Sequence, residues 1–585
     1  MLEDALQQAK RLGINIPLGD GRGFTLANFY QRILVPLIDK RGLRRFVYLA
    51  IILLILLAIM QIAWQFVRPA GVNGPQSFFG VPVAMLMKDN KNTFNVTLTL
   101  PASTPVEITD QAAREVGTLL RDNEHVTDYQ TWIGQSGVID FNGLLRGARN
   151  KRGANIAEIR VNLTDKKHRD KSSIEIVYEL RPAIEAIGKR YPGSTIQLVE
   201  DPPGPPMRAT VLAEIYGQDM EAMADIARQI KARFEQTYDM VEVYDSVPDR
   251  TREYQISVDR EKAALAGINA TEVAMLLRQI LHGEQIGRIH LPDEHNQVPI
   301  IMTVPRRFNI EPHDLSMMFI SNSSGNAIPL SELTTLKLED AAQPIYRKDF
   351  ERVVYVAGEL TRTSPLYAVL ELDEKLDDLA LGNGQRLRTA NLGLDKEVPD
   401  TLGGYSLFWE GELRLLLDTV DDMINSFGLA ILFIYILLVA YYQSFKIPLI
   451  AMAAIPLGVI GIFPAHWALG QAFSSTSMIG IIALAGIVVR NSLLIIDFVL
   501  DFRARGTPIR EAVLQGTLLR LRPILLTALS TMLGSAIMIN DPIFGGLAVS
   551  LISGTVVSTA LTVIVVPLLF YQFLVNDEAR RLESG

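Results

Sequence analysis

The 585-residue sequence contains no cysteine. Disulfides and thiolate metal sites are therefore excluded, and its domains must rely on packing rather than staples. No HExxH, GxSxG or Walker-type pattern occurs, and the seven histidines are scattered, so no motif supports an enzyme. The net charge of −8 is spread thinly with no long basic run, and nucleic acid is not an expected partner. Met220, Met223, Met317 and Met318 resemble soft-metal ligands only superficially. Methionine at helix or strand spacing is ordinarily core packing, and no metal or cofactor is expected.

What the sequence has instead is two unlike populations. Hydrophobic residues make up 49% and charged ones 21%, an average over long apolar runs and a central region of ordinary globular composition. Phe46–Val67 is uncharged and long enough for a transmembrane helix. Five further runs, Ile424–Tyr442, Ile447–Leu469, Met478–Leu500, Ile524–Asn540 and Leu547–Phe573, complete a 1 + 5 plan of six spans in an α-helical polytopic membrane protein. Before the first span, Leu26, Phe29, Tyr30, Ile33, Leu34, Leu37 and Ile38 recur at helical spacing, followed by Lys40, Arg41, Arg44 and Arg45. This predicts an amphipathic helix on the cytoplasmic membrane surface, or else a half-buried helix interrupted by Pro36. The first apolar run is too long for a signal peptide and no cleavage site follows it, so none is expected. The first 45 residues hold eight Lys or Arg and the Asp501–Arg522 loop five arginines, whereas Gln471–Ser477 and Asp541–Gly545 hold none. The positive-inside rule then places both termini in the cytoplasm and the central region outside the membrane.

That central region alternates strand and helix patterns. Phe94–Leu100, Ile156–Leu163 and Ser194–Val199 read as strands, with helices at Glu107–Arg121 and Ser172–Tyr191. The proline cluster Pro202-Pro203-Gly204-Pro205-Pro206 marks a boundary, after which the pattern restarts with strand Ala209–Tyr216, helix Met220–Thr237 and strand Met240–Ser246. Two successive βαβ-like units predict ferredoxin-like α+β subdomains. A different texture, with helices at Arg260–Ala266 and Ala270–Leu281 and a strand at Val298–Val304, marks an insertion. The second unit resumes at Ile345–Gly358, and Leu379–Asp400 reads as a long surface loop. The expected parts are a cytoplasmic segment over 1–45, a span over 46–67, a subdomain over 68–206, a second over 207–253 and 341–421 split by an insertion at 254–340, a five-span bundle over 422–574 and a tail over 575–585.

The residue that most needs explaining is Arg490, twelve helical steps or roughly 18 Å into a hydrocarbon core about 30 Å thick. A midplane charge costs somewhere between ~3 and ~15 kcal/mol, which marks it as a functional candidate, with a structural ion pair as the alternative. Asn491 adjoins it, and Ala483, Ala485 and Gly486 would let another helix approach closely. Asp497, nearly on the same face but near the cytoplasmic end, reads as an interfacial acid. Arg520 and Arg522 flank the start of the next span, Pro523 suits a first-turn position, and Thr527 lies on the face of Arg520, where it acts either as a functional hydroxyl or as a back-bonding one. None of the six spans supplies a central carboxylate to offset Arg490. Either it faces a water cavity or, the favoured reading, its counter-charge lies on another polypeptide.

With these residues in view, the chain resembles the resistance-nodulation-division (RND) family, specifically the C-terminal half of an acriflavine-resistance type multidrug efflux permease. The resemblance rests on GIVVRNSLLIIDF (Gly486–Phe498), RLRPILLTALSTMLG (Arg520–Gly534), IPLGVIG (Ile455–Gly461), AYYQSFKIPL (Ala440–Leu449) and VDREKAALAGI (Val258–Ile268), and it covers nearly the whole chain. It implies spans seven to twelve of a homotrimeric, proton-driven inner-membrane pump in the lipid bilayer, exporting hydrophobic or amphiphilic compounds. The two α+β subdomains would be porter subdomains. The insertion would be a docking subdomain facing an outer-membrane channel and a periplasmic adaptor. Arg490 takes the place of a family lysine that pairs with aspartates of the fourth span, and Arg520 and Thr527 match the polar residues of the eleventh. Arginine does not deprotonate in proteins, so Arg490 can serve as a fixed counter-charge but not as a proton carrier. The fourth-span aspartates are not in this sequence. It reads as a half that works with an N-terminal half, or as a truncated product or non-transporting scaffold; heavy-metal efflux is a further alternative, for which acidic residues would be expected in these last spans.

Overall fold

A computed structural model describes residues 26–67, 78–86, 88–137, 143–144, 151–200, 204–205, 207–305, 313–381, 384–394, 396–399, 401–402 and 404–584. The first 25 residues of the expected cytoplasmic segment, the start of the first subdomain at 68–77 and most of the proline cluster lie outside them. The chain divides into two compact units, one formed by Met1–Val247 with Tyr346–Gly585, the other by Pro248–Ile345.

Within the first unit, α1 (Leu26–Asp39) and α2 (Arg41–Val67) precede the extramembrane region. Tyr30, Leu34, Leu37 and Ile38 of α1 are buried in the core of the membrane helices, and the Tyr30 hydroxyl donates to the Val563 carbonyl at 2.6 Å. The amphipathic face is thus covered by protein, as the half-buried alternative has it, and Pro36 is accommodated inside the helix. The short strand β1 (Val83–Ala84) leads into β2 (Thr93–Thr99), α3 (Val106–Arg121), β3 (Val126–Gln135), β4 (Arg152–Leu163), α4 (Ser173–Gly188) and β5 (Thr195–Val199). A capping box formed by Ser172 and Glu175 starts α4 where the sequence reading placed it. The sheet is antiparallel with strand order β3-β4-β2-β5. Phe94, Val96, Leu98, Ile159 and Val161 from alternate strand positions meet Val116, Leu120, Ile176, Leu180 and Ile184 of the two helices in one core.

The same plan repeats in β6 (Val211–Tyr216), α5 (Met220–Glu235), β7 (Met240–Asp245), β8 (Glu351–Leu360), α6 (Pro365–Leu376) and β9 (Ser406–Gly411), with β7-β8-β6-β9 the matching strand order. Trp409 is fully buried there, stacked on Phe234 at 6.2 Å, with its indole N–H donated to Asp373 at 2.8 Å. The Leu379–Asp400 stretch is not simply a surface loop. Arg388–Ala390 adds a parallel strand beside β9, and Leu381, Leu387, Ala390 and Asn391 are buried.

The two subdomains join through a residue turned out of its own sheet. Glu242 in β7 has φ 54°, beside a shift in the β7–β8 register between Ala357 and Glu359; such an irregularity re-aims a side chain. Its carboxylate pairs with Arg181 of α4 and accepts the Leu198 N–H of β5 at 2.8 Å. Burial pushes the Glu242 carboxyl up to about 7, against the lowering influence of Arg181 and the Leu198 amide.

The second unit contains an antiparallel pair, Arg252–Val258 with Thr334–Asp340, a hairpin of Glu284–Ile289 and Val298–Met302, and helices Arg260–Leu265 and Ala270–His282. Val273, Leu277, Leu315, Leu330 and Leu333 form its own core.

The membrane helices follow: α7 (Glu412–Tyr442), a broken helix of α8 (Lys446–Met452) and α9 (Val459–Ala468) joined by a 3-10 turn at Ile455–Gly458, a short strand β10 (Phe473–Ser474), α10 (Ser475–Ala504), α11 (Ile509–Ala536) and α12 (Gly545–Ser584). Together with Arg41–Trp64, six helices among the described residues are long and apolar enough to cross a membrane. Pro523 lies inside α11, fourteen residues after its start at Ile509, and not in a first turn. The expected tail continues α12 to Ser584. β1 pairs in parallel with β10, tying the start of the extramembrane region to the loop before α10. α10 and α12 run in the same direction in close contact, as Gly480 opposite Ser550 and Leu484 against Gly554 require. The interface row on α12, Gly546, Ser550, Gly554, Ser558 and Thr562, has small or hydroxyl residues at every fourth position, the spacing that lets membrane helices approach.

Two predictions follow from these contacts. A Cβ at Gly461 would sit 2.5 Å from the Ser553 backbone carbonyl, which cannot swing away, whereas one at Gly428 meets nothing within 4 Å. Gly461→Ala should lower the unfolding temperature of the purified protein, at a cost of about 1–3 kcal/mol, and Gly428→Ala should not. For Glu242, the docked carboxyl holds its proton up to about pH 7 while a solvated one loses it near 4.5, so docking is favoured at low pH and weakens as pH rises across that window. Hydrogen exchange at the Leu198 amide, corrected for intrinsic rate, should show protection falling by roughly tenfold or more between pH 5 and 8, with the dependence lost in Glu242→Gln.

Candidate functional site

α10 is rotated so that Ser475, Gly480, Leu484, Val488, Asn491, Ser492, Ile495 and Val499 face the bundle. Adjacent positions on a helix point about 100° apart, and this separates the two central polar residues. Asn491 is turned inward, 1% exposed, with its side-chain carbonyl lacking a hydrogen-bond partner. Arg490 is exposed on the other side, on a stripe with Ile479, Ala483 and Gly486. A Cβ at Gly486 would meet nothing within 4 Å, so this strip of α10 is narrow and uncovered. Of the small residues flagged in the sequence, Ala483 and Gly486 lie on it, while Ala485 is buried.

No hydrogen bond or ion pair joins Arg490 to another group among the described residues. Asp497, the nearest acid along the same helix, accepts the Tyr442 hydroxyl at 2.7 Å and is half-buried, so it is tied to α7 rather than open to water. Arg520 lies with its guanidinium 3.8 Å over the Phe498 ring, a cation–π contact, and its Nε is buried without a partner. The close approach of Gly516 to Val499 sets α11 against α10. Counted from that contact, Arg490 and Thr527 lie about 13 and 16 Å further along their helices, at nearly one level on neighbouring helices. Thr527 is exposed and its hydroxyl donates to its own helix at the Ile524 carbonyl, 2.9 Å away; that is the back-bonding arrangement. The structure therefore brings Arg490 and Thr527 to the same level without a hydrogen bond between them, places Arg520 nearer the α10–α11 loop, and points Asn491 into the interior.

The sequence reading missed a buried polar knot at the extramembrane end of the bundle. His466 of α9 is fully buried, with Nδ1 2.9 Å from the Ile462 carbonyl and Nε2 2.9 Å from the Ser477 hydroxyl. A carbonyl only accepts, so Nδ1 donates there. Ser474 and Ser477 make a capping box for α10, and the Thr476 hydroxyl donates to the Ile543 carbonyl at 2.8 Å. The available signal was the hydroxyl run Ser474–Ser477 ahead of a long apolar helix. The α12 row of Gly546, Ser550, Gly554, Ser558 and Thr562 was equally visible.

The sequence profile of the AcrB/AcrD/AcrF family matches residues 51–574. Among characterised proteins, the multidrug resistance proteins MdtC of Yersinia pseudotuberculosis and Yersinia pestis are each 24% identical over 462 residues, covering 77% of this chain and 42% of theirs. The chain thus spans less than half the length of these relatives. Two crystal forms of a heavy metal efflux pump superpose with TM-scores of 0.68 and 0.69 at 18% identity, over 94% of this chain and 52% of that one; at that identity the likeness is one of fold. With a family profile running from the first apolar helix to the last, this polytopic chain belongs to the AcrB/AcrD/AcrF family of RND permeases.

Proposed function

We propose that the chain is the C-terminal half of a proton-driven RND efflux permease, with Arg490 the fixed counter-charge to carboxylates carried by an N-terminal half. The observation carrying this reading is the setting of Arg490: a guanidinium on an exposed, small-residue strip of α10, with no ion pair to an acid among the described residues. A charge so placed demands an anion from outside the described helices, and the narrow strip suits a helix laid against it. Asp-bearing spans would bind and release the proton; Arg490, unable to titrate, would attract the carboxylates when they are ionised and release them when they are protonated. Asn491 faces the bundle interior and Arg520 lies nearer the α10–α11 loop, so neither adjoins that site directly, and Thr527 would reach it by leaving its back-bond.

On this reading the chain lies in the bacterial inner membrane in a 1 + 5 arrangement, with both termini cytoplasmic. The two βαβ-βαβ subdomains are ferredoxin-like porter subdomains, an assignment supported by their common strand order. The second unit is the docking subdomain toward the adaptor and outer-membrane channel, and complete permeases assemble as trimers. Hydrophobic or amphiphilic compounds are the proposed cargo, in keeping with the multidrug relatives. The heavy-metal reading draws on the structural likeness alone, and no cluster of three or more His, Cys, Asp or Glu among the described residues is arranged to hold an ion.

Co-expressed with the upstream half, Arg490→Ala should reduce drug export about tenfold or more without lowering the amount of protein in the membrane, while Arg490→Lys should retain most of it. Export by Arg490→Ala equal to the parent would remove Arg490 from the coupling site.

A further inference from the structure

At the α1–α2 junction, Lys40, Arg41, Arg44 and Arg45 fall within six residues. Arg41 and Arg45 are exposed and, four residues apart, stand one above the other on one face of α2. Arg44 is 7% exposed. It donates to the Ile38 carbonyl at 3.3 Å and its guanidinium lies 6.0 Å from the Tyr571 ring, yet its Nε has no partner. The acid next to this cluster is already committed: Asp39 is held by two hydrogen bonds from Arg510, at 3.0 and 2.9 Å. Three guanidiniums within one and a half turns therefore lack a carboxylate among the described residues.

The face below them is apolar and uncovered. Leu49, Ile52 and Leu56 follow Arg45 on the same side of α2, exposed by 65%, 59% and 56%, and Gly42 opens on empty space. A basic group at one end of an exposed apolar stripe fits a ligand with an anionic head and hydrocarbon tails. A soluble phosphate would satisfy the charge but not the stripe, and a second protein helix would cover the stripe but has no reason to bring acid at that height.

We propose that Arg41, Arg44 and Arg45 form a binding site for an anionic phospholipid, with its phosphodiester on Arg41 and Arg45, Arg44 supplying charge from beneath, and its acyl chains along Leu49, Ile52 and Leu56. Such a lipid supplies the missing negative charge and covers the stripe without a partner subunit. The site is separate from the Arg490 face, and the proposal stands whether or not the efflux reading does.

Native mass spectrometry of the full chain, released from detergent containing equal phosphatidylglycerol and phosphatidylcholine, reads the site directly. The wild-type chain should retain phosphatidylglycerol preferentially, the preference falling with added salt. The double variant Arg41→Gln/Arg45→Gln should lower it by roughly thirtyfold, at about a tenfold loss or less per charge. Arg503→Gln/Arg505→Gln, which removes two arginines from the C-terminal end of α10, should leave it in place. Because Arg41 and Arg45 are exposed, the double variant should fold; if it does not, the wild-type competition and its salt dependence decide alone. Equal retention of the two lipids by the wild type, a salt-independent preference, or an undiminished preference in the folded double variant overturns the proposal.

Discussion

A guanidinium near the middle of a hydrocarbon layer needs an anion, a water-filled cavity, or a route to the interface. Arg490 sits at the middle of the apolar run of α10, and arginine cannot shed its proton to escape the cost of a lipid setting. The orientation of α10 follows from packing on its other side, where Gly480 and Leu484 meet Ser550 and Gly554 of the small-residue row of α12 and Val488, Asn491 and Ser492 are buried. Once that interface has formed, Arg490 is carried to the outside of this chain's bundle. The same close packing therefore leaves Arg490 exposed with no carboxylate bonded to it among the described residues, and a carboxylate is what the proposed N-terminal half would supply.

The extramembrane region couples to that bundle by contact rather than by covalent staples. The parallel pairing of β1 with β10 brings Met85 against Ser475, and Trp467 donates to the Phe78 carbonyl at 2.6 Å. β10 runs directly into α10, with Ser474 as its cap, so a displacement of the first subdomain has a short mechanical route to the helix carrying Arg490. The Arg181–Glu242 pair adds a proton-sensitive contact between that subdomain and the second one. The first feature gives movement of that subdomain a contact with the helix carrying Arg490, and the second makes the junction of the two subdomains sensitive to pH.

Much of this was legible in the chain itself, and the failures have common causes. Strands β2 and β4 and helices α3, α4 and α5 emerged from periodicity because each buries one face and solvates the other. Hydropathy placed the membrane helices but not their ends: α11 begins at Ile509, since Ile509, Ala512, Val513 and Gly516 are buried on one face while the other carries Arg510 and Glu511, an amphipathic turn that an apolar-run criterion passes over. That error made Pro523 look like a helix start. Leu379–Asp400 was misread because its buried leucines are too few and too irregular to show a period, and Arg388–Ala390 gains its strand by pairing with the distant β9. At the site, the sequence places Arg490 within its helix but does not set the helix's rotation, so Arg490 and Asn491 looked like one polar centre although they face apart. His466 was overlooked because one histidine in an apolar helix has no spacing partner; its partner, Ser477, belongs to another helix.

The central claim is that the Arg490 strip is the seat of an acid-bearing helix from an N-terminal half. The absence of native cysteine permits a single spin label at Gly486→Cys, one turn from Arg490 and facing open space. Its accessibility to oxygen, which partitions into lipid, can be compared in bilayers for the chain alone and for the chain co-assembled with the upstream six-span half. The account predicts a label open to oxygen in the isolated chain and shielded in the assembly; a label equally open in both would contradict it.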